Sequence, residues 1–242
     1  DLVQCHSMNQ EDLARCHCII SHPSKPKFLA IRLSDGSWAA PWVSYPSEGF
    51  MGDRAKIISD GFLKHYGLKT TVLRHLFESQ DHHCAELEVH SRRENKNLKA
   101  IWVGSEEYRP MGTFPRGPYD PFALWLKDKE RDSVPEKRLP WERQGWFRQA
   151  SSWILHQLDR LNIQVTGSVE QIRAGWYSSA VLRVNTSQGY CYFKAAPHVE
   201  PREVALTAAI ARKWPQWVPE PLAVDENKNW MLSRNYGLPL LS

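Results

Sequence analysis

The chain has 242 residues, 42% of them hydrophobic, and a formal net charge of +4 from 31 basic and 27 acidic side chains. That is enough apolar material for one large or two small folded units, and the charges are spread without a basic arm or stripe, so nucleic acid is not an expected partner. Neither end carries an apolar run of signal-peptide or membrane-span type, and the first residue is Asp1, so the expectation is a trimmed or processed cytoplasmic protein with no membrane partner.

Eleven tryptophans and 16 prolines point to aromatic packing among many short, turn-separated elements, hence to a mixed α and β class. Five cysteines are odd in number and sparse, unlike a secreted disulfide framework, so reduced thiols are expected. Cys16 and Cys18, with His22, His82, His83 and Cys84, are zinc-type ligands, but a structural zinc site offers two clear ligand pairs. Cys16 and Cys18 are therefore expected to pack on one face of a strand as small apolar residues.

From Ala14 to Ser44 the text reads strand, Pro-rich turn, strand, Asp-Gly turn and short aromatic strand, the pattern of a β-meander. Ala55, Ile58, Phe62 and Tyr66 then recur at helical spacing, with Asp53 as N-cap and Gly67 as C-cap. "TTVLRHLFES", "HCAELEVHS" and "LKAIWVG" continue as strands to about Gly104. Arg74, His75, His82, His83, His90, Arg92 and Arg93 gather there and are expected to form a solvated face, an anion-attracting surface being the alternative. Between Glu106 and Pro140 a proline- and charge-rich passage with one short helix, "FALWLKDKE", reads as a connection. Phe147, Ala150, Ile154, Leu158 and Leu161 form a second helical stripe. "SVEQIRAG", "SAVLRVNT" and "YCYFKAA" follow as strands, then a helix from about Pro201 to Lys213, and two extended pieces, "EPLAVD" and "NWMLSRNYG".

The chemistry-bearing stretch is Gly189 to Ile210, "GYCYFKAAPHVEPREVALTAAI". A lysine ends the third of three strands, and a glutamate opens the helix after them. Such a lysine can sit against nucleotide phosphates while the carboxylate holds it in place. Lys194 and Glu203 fit those roles; a solvated lysine and a glutamate complementing the helix dipole are the bland alternative.

From about Leu139 onward the chain resembles the amino-terminal lobe of the aminoglycoside phosphotransferase family, which has a protein-kinase-like fold. The resemblance rests on "VEQIRAGWYSSAVLRVNTSQGYCYFKAAP", "EVALTAAIARKWPQWVPEPLAVD" and "WMLSRNYGLPLL" in that order. It implies that Ala174 to Ala180 is the turn over the phosphates, with Gly175, Ser178 and Ser179 as donors; Gly175 is the one glycine there. It implies that Met231 to Gly237 is the hinge receiving the purine edge, with Ser233, Asn235 and Tyr236 contributing. The catalytic base, its partner asparagine and the magnesium-binding aspartate of such enzymes lie in a second lobe, and no catalytic or metal residue is assigned within these residues.

The first hundred residues resemble the Nudix hydrolase fold more weakly, through "CHCIISHP", "KFLAIRLSDGSWAAPWVS" and "DRAKIISDGFLKHYGLKTTVLRHL". Where that family has an Arg-Glu start and a later Glu-Glu pair, this helix has Asp60-Gly61 and Lys64-His65. A helix without those carboxylates does not hold magnesium for diphosphate hydrolysis. Glu48, Asp53 and Asp60 are the acids from which a rewired site would have to be built.

The expected fold class is α+β: a mixed-sheet, degenerate Nudix-like domain over residues 1–108, a linker over 109–140, and a kinase-like lobe over 141–242 with an antiparallel sheet and one helix of αC type, its second lobe absent. The resemblance implies ATP or GTP with magnesium as cofactors of a complete parent and a small hydroxylated acceptor as its other partner. This portion itself is expected to be inactive and to need no cofactor. The alternative is a non-catalytic module that binds a nucleotide or another partner.

Overall fold

The computed structural model describes residues 13–22, 24–46, 54–79, 82–92, 99–109, 119–131, 138–174, 179–197 and 203–236. The chain divides into two compact units, Asp1–Phe50 with Ile57–Glu136, and Met51–Lys56 with Lys137–Ser242. The class is α+β, with mixed and antiparallel sheets.

The first unit contains β1 (Leu13–Ile20), β2 (Phe28–Arg32), β3 (Trp38–Ala39), β4 (Trp42–Pro46), α1 (Ala55–Tyr66) from Ile57 onward, β5 (Leu68–Glu78), β6 (His82–Arg92), β7 (Ala100–Val103) and α2 (Pro121–Glu130). Its strands form a four-stranded sheet of order β4-β1-β6-β5 and a three-stranded sheet of order β3-β2-β7. The opening strands are therefore not a meander. β1 lies antiparallel to β4 and parallel to β6, while β2 pairs with β3 and β7. A parallel neighbour is reached only by a long crossover, which alternation inside one strand cannot reveal. Cys16 and Cys18 are fully buried with their sulfurs 3.7 Å apart, on one face as expected.

Helix α1 follows the expected stripe. Ala55, Ile58 and Phe62 are buried, and Gly67, with φ 68°, ends the helix by returning its N–H to the Leu63 carbonyl at 3.1 Å. Asp53, the expected N-cap, lies outside the described residues. Tyr66 anchors the helix to β4: its hydroxyl donates to the Trp42 carbonyl at 2.9 Å and accepts from the Trp42 N–H at 3.1 Å.

Helix α2 begins where Asp120 accepts from the N–H groups of Phe122 (2.9 Å) and Ala123 (3.2 Å), with Pro121 in its first turn. Phe122, Trp125 and Leu126 enter a core with Ile19, Phe28, Ala30, Cys84 and Val103. The described part of residues 109–140 thus does more than connect. Apolar side chains at i, i+3 and i+4 give even this short helix one buried face.

The basic and histidine residues of β5 and β6 do not form a solvated face. His75 and His83 are buried, Arg74 pairs with Glu86 and Asp128, and His90 Nε2 lies 2.8 Å from the Thr71 hydroxyl. From His83 to Leu87 successive residues of both faces are buried, which marks β6 as an internal strand covered on both sides. Arg93 and the Arg92 side chain lie outside the described residues.

The second unit opens with a 3-10 turn, Pro140–Glu142, and continues with α3 (Trp146–Arg160), β8 (Glu170–Ala174), β9 (Ala180–Thr186), β10 (Gly189–Ala195), α4 (Glu203–Lys213), β11 (Ala223–Asp225) and β12 (Trp230–Arg234). Its five strands are antiparallel in the order β11-β12-β10-β9-β8. Trp146, Phe147, Ala150, Ile154 and Leu158 of α3 are buried with Ala180, Leu182, Val184, Cys191, Phe193, Ala195, Trp230 and Leu232 of the sheet. Leu161, expected to extend the stripe, sits just past the helix end and is 43% exposed. The aromatic centre of this core is tight: ring centroids are 5.4 Å apart for Phe193 and Trp230, and 5.7 Å for Trp153 and Trp230. Pro201 lies outside the described residues. Among the described residues no helix is long and apolar enough to cross a membrane.

Candidate functional site

The period of 2 in β10 assigns its faces. Cys191, Phe193 and Ala195 point into the α3 core, so Tyr190, Tyr192 and Lys194 point to the other face. Register extends this across the sheet. Lys194 stands opposite Val181 on β9 and Met231 on β12, and Tyr192 stands opposite Arg183 and Ser233. One face is filled by α3 side chains; the other carries a lysine row and a tyrosine row.

On this second face Lys194 Nζ donates to Glu203 Oε1, the first residue of α4. The two side chains are 35% and 33% exposed, neither immersed nor fully solvated. An ammonium has three N–H donors, so one bond to a carboxylate leaves the group able to bind a further acceptor. Phe193, in the aromatic core, fixes the backbone that carries Lys194. Asn229 fixes the end of the strand. It sits in the turn between β11 and β12 with φ 55°, is buried, donates through Nδ2 to the Pro197 carbonyl at 3.1 Å, and accepts the Ala196 N–H at 3.0 Å.

The remaining expected site residues divide. Ser233 lies one row from Lys194 on the same face. Asn235 and Tyr236 lie past the end of β12: the Asn235 N–H donates to the Tyr190 carbonyl at 3.0 Å, and the Tyr236 hydroxyl donates to the Glu220 carbonyl at 3.0 Å. The Asn235 main-chain donor is therefore already engaged. Ser179 is buried at 4% exposure immediately before β9. Gly175 and Ser178 lie outside the described residues, as does Gly237.

Sequence reasoning passed over Val181, Tyr192 and Arg173, which share the Lys194 face. The signal was present in strand alternation, since Tyr192 is two residues before Lys194, but only the register brings Val181 and Arg173 into the same row. Further along this face Arg183 is held by Glu170 at 2.8 Å and lies 4.6 Å from the Tyr190 ring centroid.

In the first unit, helix α1 carries Asp60, Gly61, Lys64 and His65. Lys64 and His65 are exposed in the last turn of α1, and Asp60 is exposed as well. Gly61 has a packing role, because a Cβ there would meet Val43 Cγ1 at 2.8 Å. Glu48 and Asp53 lie outside the described residues. The strongest electrostatic feature of this unit is elsewhere. Glu86, 1% exposed, binds Arg74 Nε at 2.6 Å and Lys129 Nζ at 3.0 Å, and accepts from the Ser21 hydroxyl at 3.0 Å. Burial opposes its ionisation, but Arg74 and then Lys129 outweigh burial and hold its pKa down to about 2.

No family model and no curated protein matches the sequence. Solved structures with some similarity include an ADP-ribose pyrophosphatase from Streptococcus suis, at 12% identity over 51% of this chain and 96% of that one, with a TM-score of 0.36. A MutT from a study of Aliivibrio salmonicida and Vibrio cholerae shows 12% identity over 48% of this chain and 98% of its own, with a TM-score of 0.34. A Nudix hydrolase from Nitrosomonas europaea shows 11% identity over 53% and 78%, with a TM-score of 0.34. Likeness at this level assigns neither family nor activity to the chain.

Proposed function

We propose that the second unit is the nucleotide-holding lobe of a cytoplasmic small-molecule phosphotransferase resembling the aminoglycoside phosphotransferases, which moves the γ-phosphoryl of ATP or GTP to a hydroxyl of a small acceptor. The observation that carries this reading is the Lys194–Glu203 pair, formed from the end of a third antiparallel strand to the first residue of the following helix. In kinase-like sites this pair presents the lysine to the phosphates. Val181 and Met231 flank Lys194 as apolar surface, and the Tyr192 ring offers an aromatic face two residues away, a combination suited to a purine beside an anionic chain.

The residues present suit the nucleotide better than they suit its metal. Magnesium, which neutralises charge on the phosphates, would be held by carboxylate and amide ligands of a second lobe. Lys194 binds and orients the phosphates; Glu203 keeps the ammonium in place.

The first unit fits a recognition or scaffolding role in this scheme. Its mixed sheet and its helix α1 are those a Nudix-like domain requires, and Gly61, Lys64 and His65 stand where metal-binding glutamates would be needed for hydrolysis.

Calorimetric titration of the chain with ATP and GTP tests the reading. Saturable binding that Lys194→Ala weakens at least tenfold, with unchanged thermal unfolding, is the expected result; charge-assisted bonds of this kind contribute about 1.5–3 kcal/mol. A folded Lys194→Ala variant that binds as well as the unaltered chain overturns it.

A further inference from the structure

We propose that Arg173 is a second phosphate-binding cation of the site built on Lys194, an assignment that rests on the nucleotide-lobe reading above. The carrying observation is a register shift in β8. Opposite β9, Glu170 pairs with Arg183 and Gln171 with Leu182, but the next pairs are Arg173 with Val181 and Ala174 with Ala180, so one extra residue, Ile172, is inserted. Leu182 and Ala180 face the α3 core, and their partners Gln171 and Ala174 are buried at 5% and 3% exposure. Under strict alternation residue 173 would fall on the same face as residue 171. The insertion turns Arg173 over instead and sets it on the face of Val181 and Lys194. A bulge that re-aims one side chain disrupts the ladder locally, and such bulges concentrate beside functional sites.

Arg173, Val181 and Lys194 then form one row across β8, β9 and β10, with the two cations separated by two strand spacings, about 10 Å. Two long cationic side chains at that separation converge on a ligand of di- or triphosphate length. Their chemistry is complementary. The Lys194 ammonium, steadied by Glu203, is a point charge, whereas a guanidinium takes phosphate oxygens in pairs through its planar fork. The sequence supplies a reason for the second cation: between Ala174 and Ala180 it holds one glycine, so a glycine-rich phosphate-binding pattern is not encoded there and a second cation supplies charge in its place. Arg183, one row further on the same face, binds Glu170 and lies over the Tyr190 ring.

The test is calorimetric titration of the whole chain, without magnesium, with ATP, ADP, AMP and adenosine, comparing the unaltered protein with Arg173→Leu and Arg173→Lys. The expected result is a loss of about tenfold for ATP in Arg173→Leu that shrinks with each phosphate removed and vanishes for adenosine, with partial recovery in Arg173→Lys. Should Arg173→Leu fail to fold, Arg173→Gln carries the same comparison. Equal weakening of all four ligands, or none, overturns the assignment while leaving a Lys194-dependent nucleotide site standing. An unaltered chain that binds none of the four overturns the nucleotide reading, and this assignment with it.

Discussion

Each unit of this protein contains a lysine bound to a glutamate, and the two pairs have opposite characters. Glu86 is almost wholly buried and saturated by Arg74, Lys129 and Ser21, whereas Glu203 and Lys194 are each about one-third exposed. The first cluster ties α2 to an internal strand, since Lys129 and Asp128 belong to the helix and Arg74 and Glu86 to the sheet. The second, among the described residues, engages one ammonium donor, on Glu203. Saturation and burial mark a group that holds a fold together; partial exposure with unspent hydrogen-bonding capacity marks one available to a ligand.

The contrast is sharpest in stability. Glu86→Ala leaves Arg74 and Lys129 without their shared carboxylate, and chemical denaturation is expected to show a loss of about 3–5 kcal/mol. Acid should act on the same unit. Because the folded-state pKa of Glu86 lies at about 2, below the ordinary 4.5, its contribution is complete above pH 4.5 and is lost as pH falls toward 2. His17, which burial and then His82 and Arg15 hold neutral down to about pH 3 against an ordinary 6.5, costs stability as pH falls from 6.5 toward 3. A stability profile that is flat from pH 7 to pH 2 would contradict both assignments.

An intermediate effect is expected at Gly61. Although alanine has the higher helix propensity, Gly61→Ala should destabilise by about 1–3 kcal/mol, because its Cβ would collide with Val43. An unchanged or raised melting temperature would show that β4 and α1 can separate without cost. The smallest effect belongs to the second pair: Glu203→Gln should change stability by no more than about 1 kcal/mol while weakening nucleotide binding. If that variant unfolds the second unit instead, the pair is structural and the contrast between the two units fails.

The two sites also differed in how far the sequence exposed them. Lys194 and Glu203 are nine residues apart, within one strand, one connection and one helix start, so local pattern was sufficient. Glu86 meets Arg74 twelve residues away and Lys129 forty-three residues away, through a helix that the sequence presented as part of a connection. Alternation identified most strands, and helical spacing identified α1 and α3 closely. Neither carries information about which strand lies beside which, so the parallel β1–β6 pair and the two-sided burial of β6 emerged only with the fold. Arg173 was hidden for a related reason, since a bulge breaks the very period by which a face is read.

Helix α3 precedes every motif of the second unit, yet Trp146, Phe147, Ala150, Ile154 and Leu158 supply one whole side of the core against which Phe193 and Trp230 pack. A fragment begun at Glu170 would retain every motif strand and expose that aromatic surface to water. The folding unit is therefore longer than the run of strands that begins at Glu170: any transplantation of it, in the laboratory or by recombination between genes, has to carry the preceding helix with it.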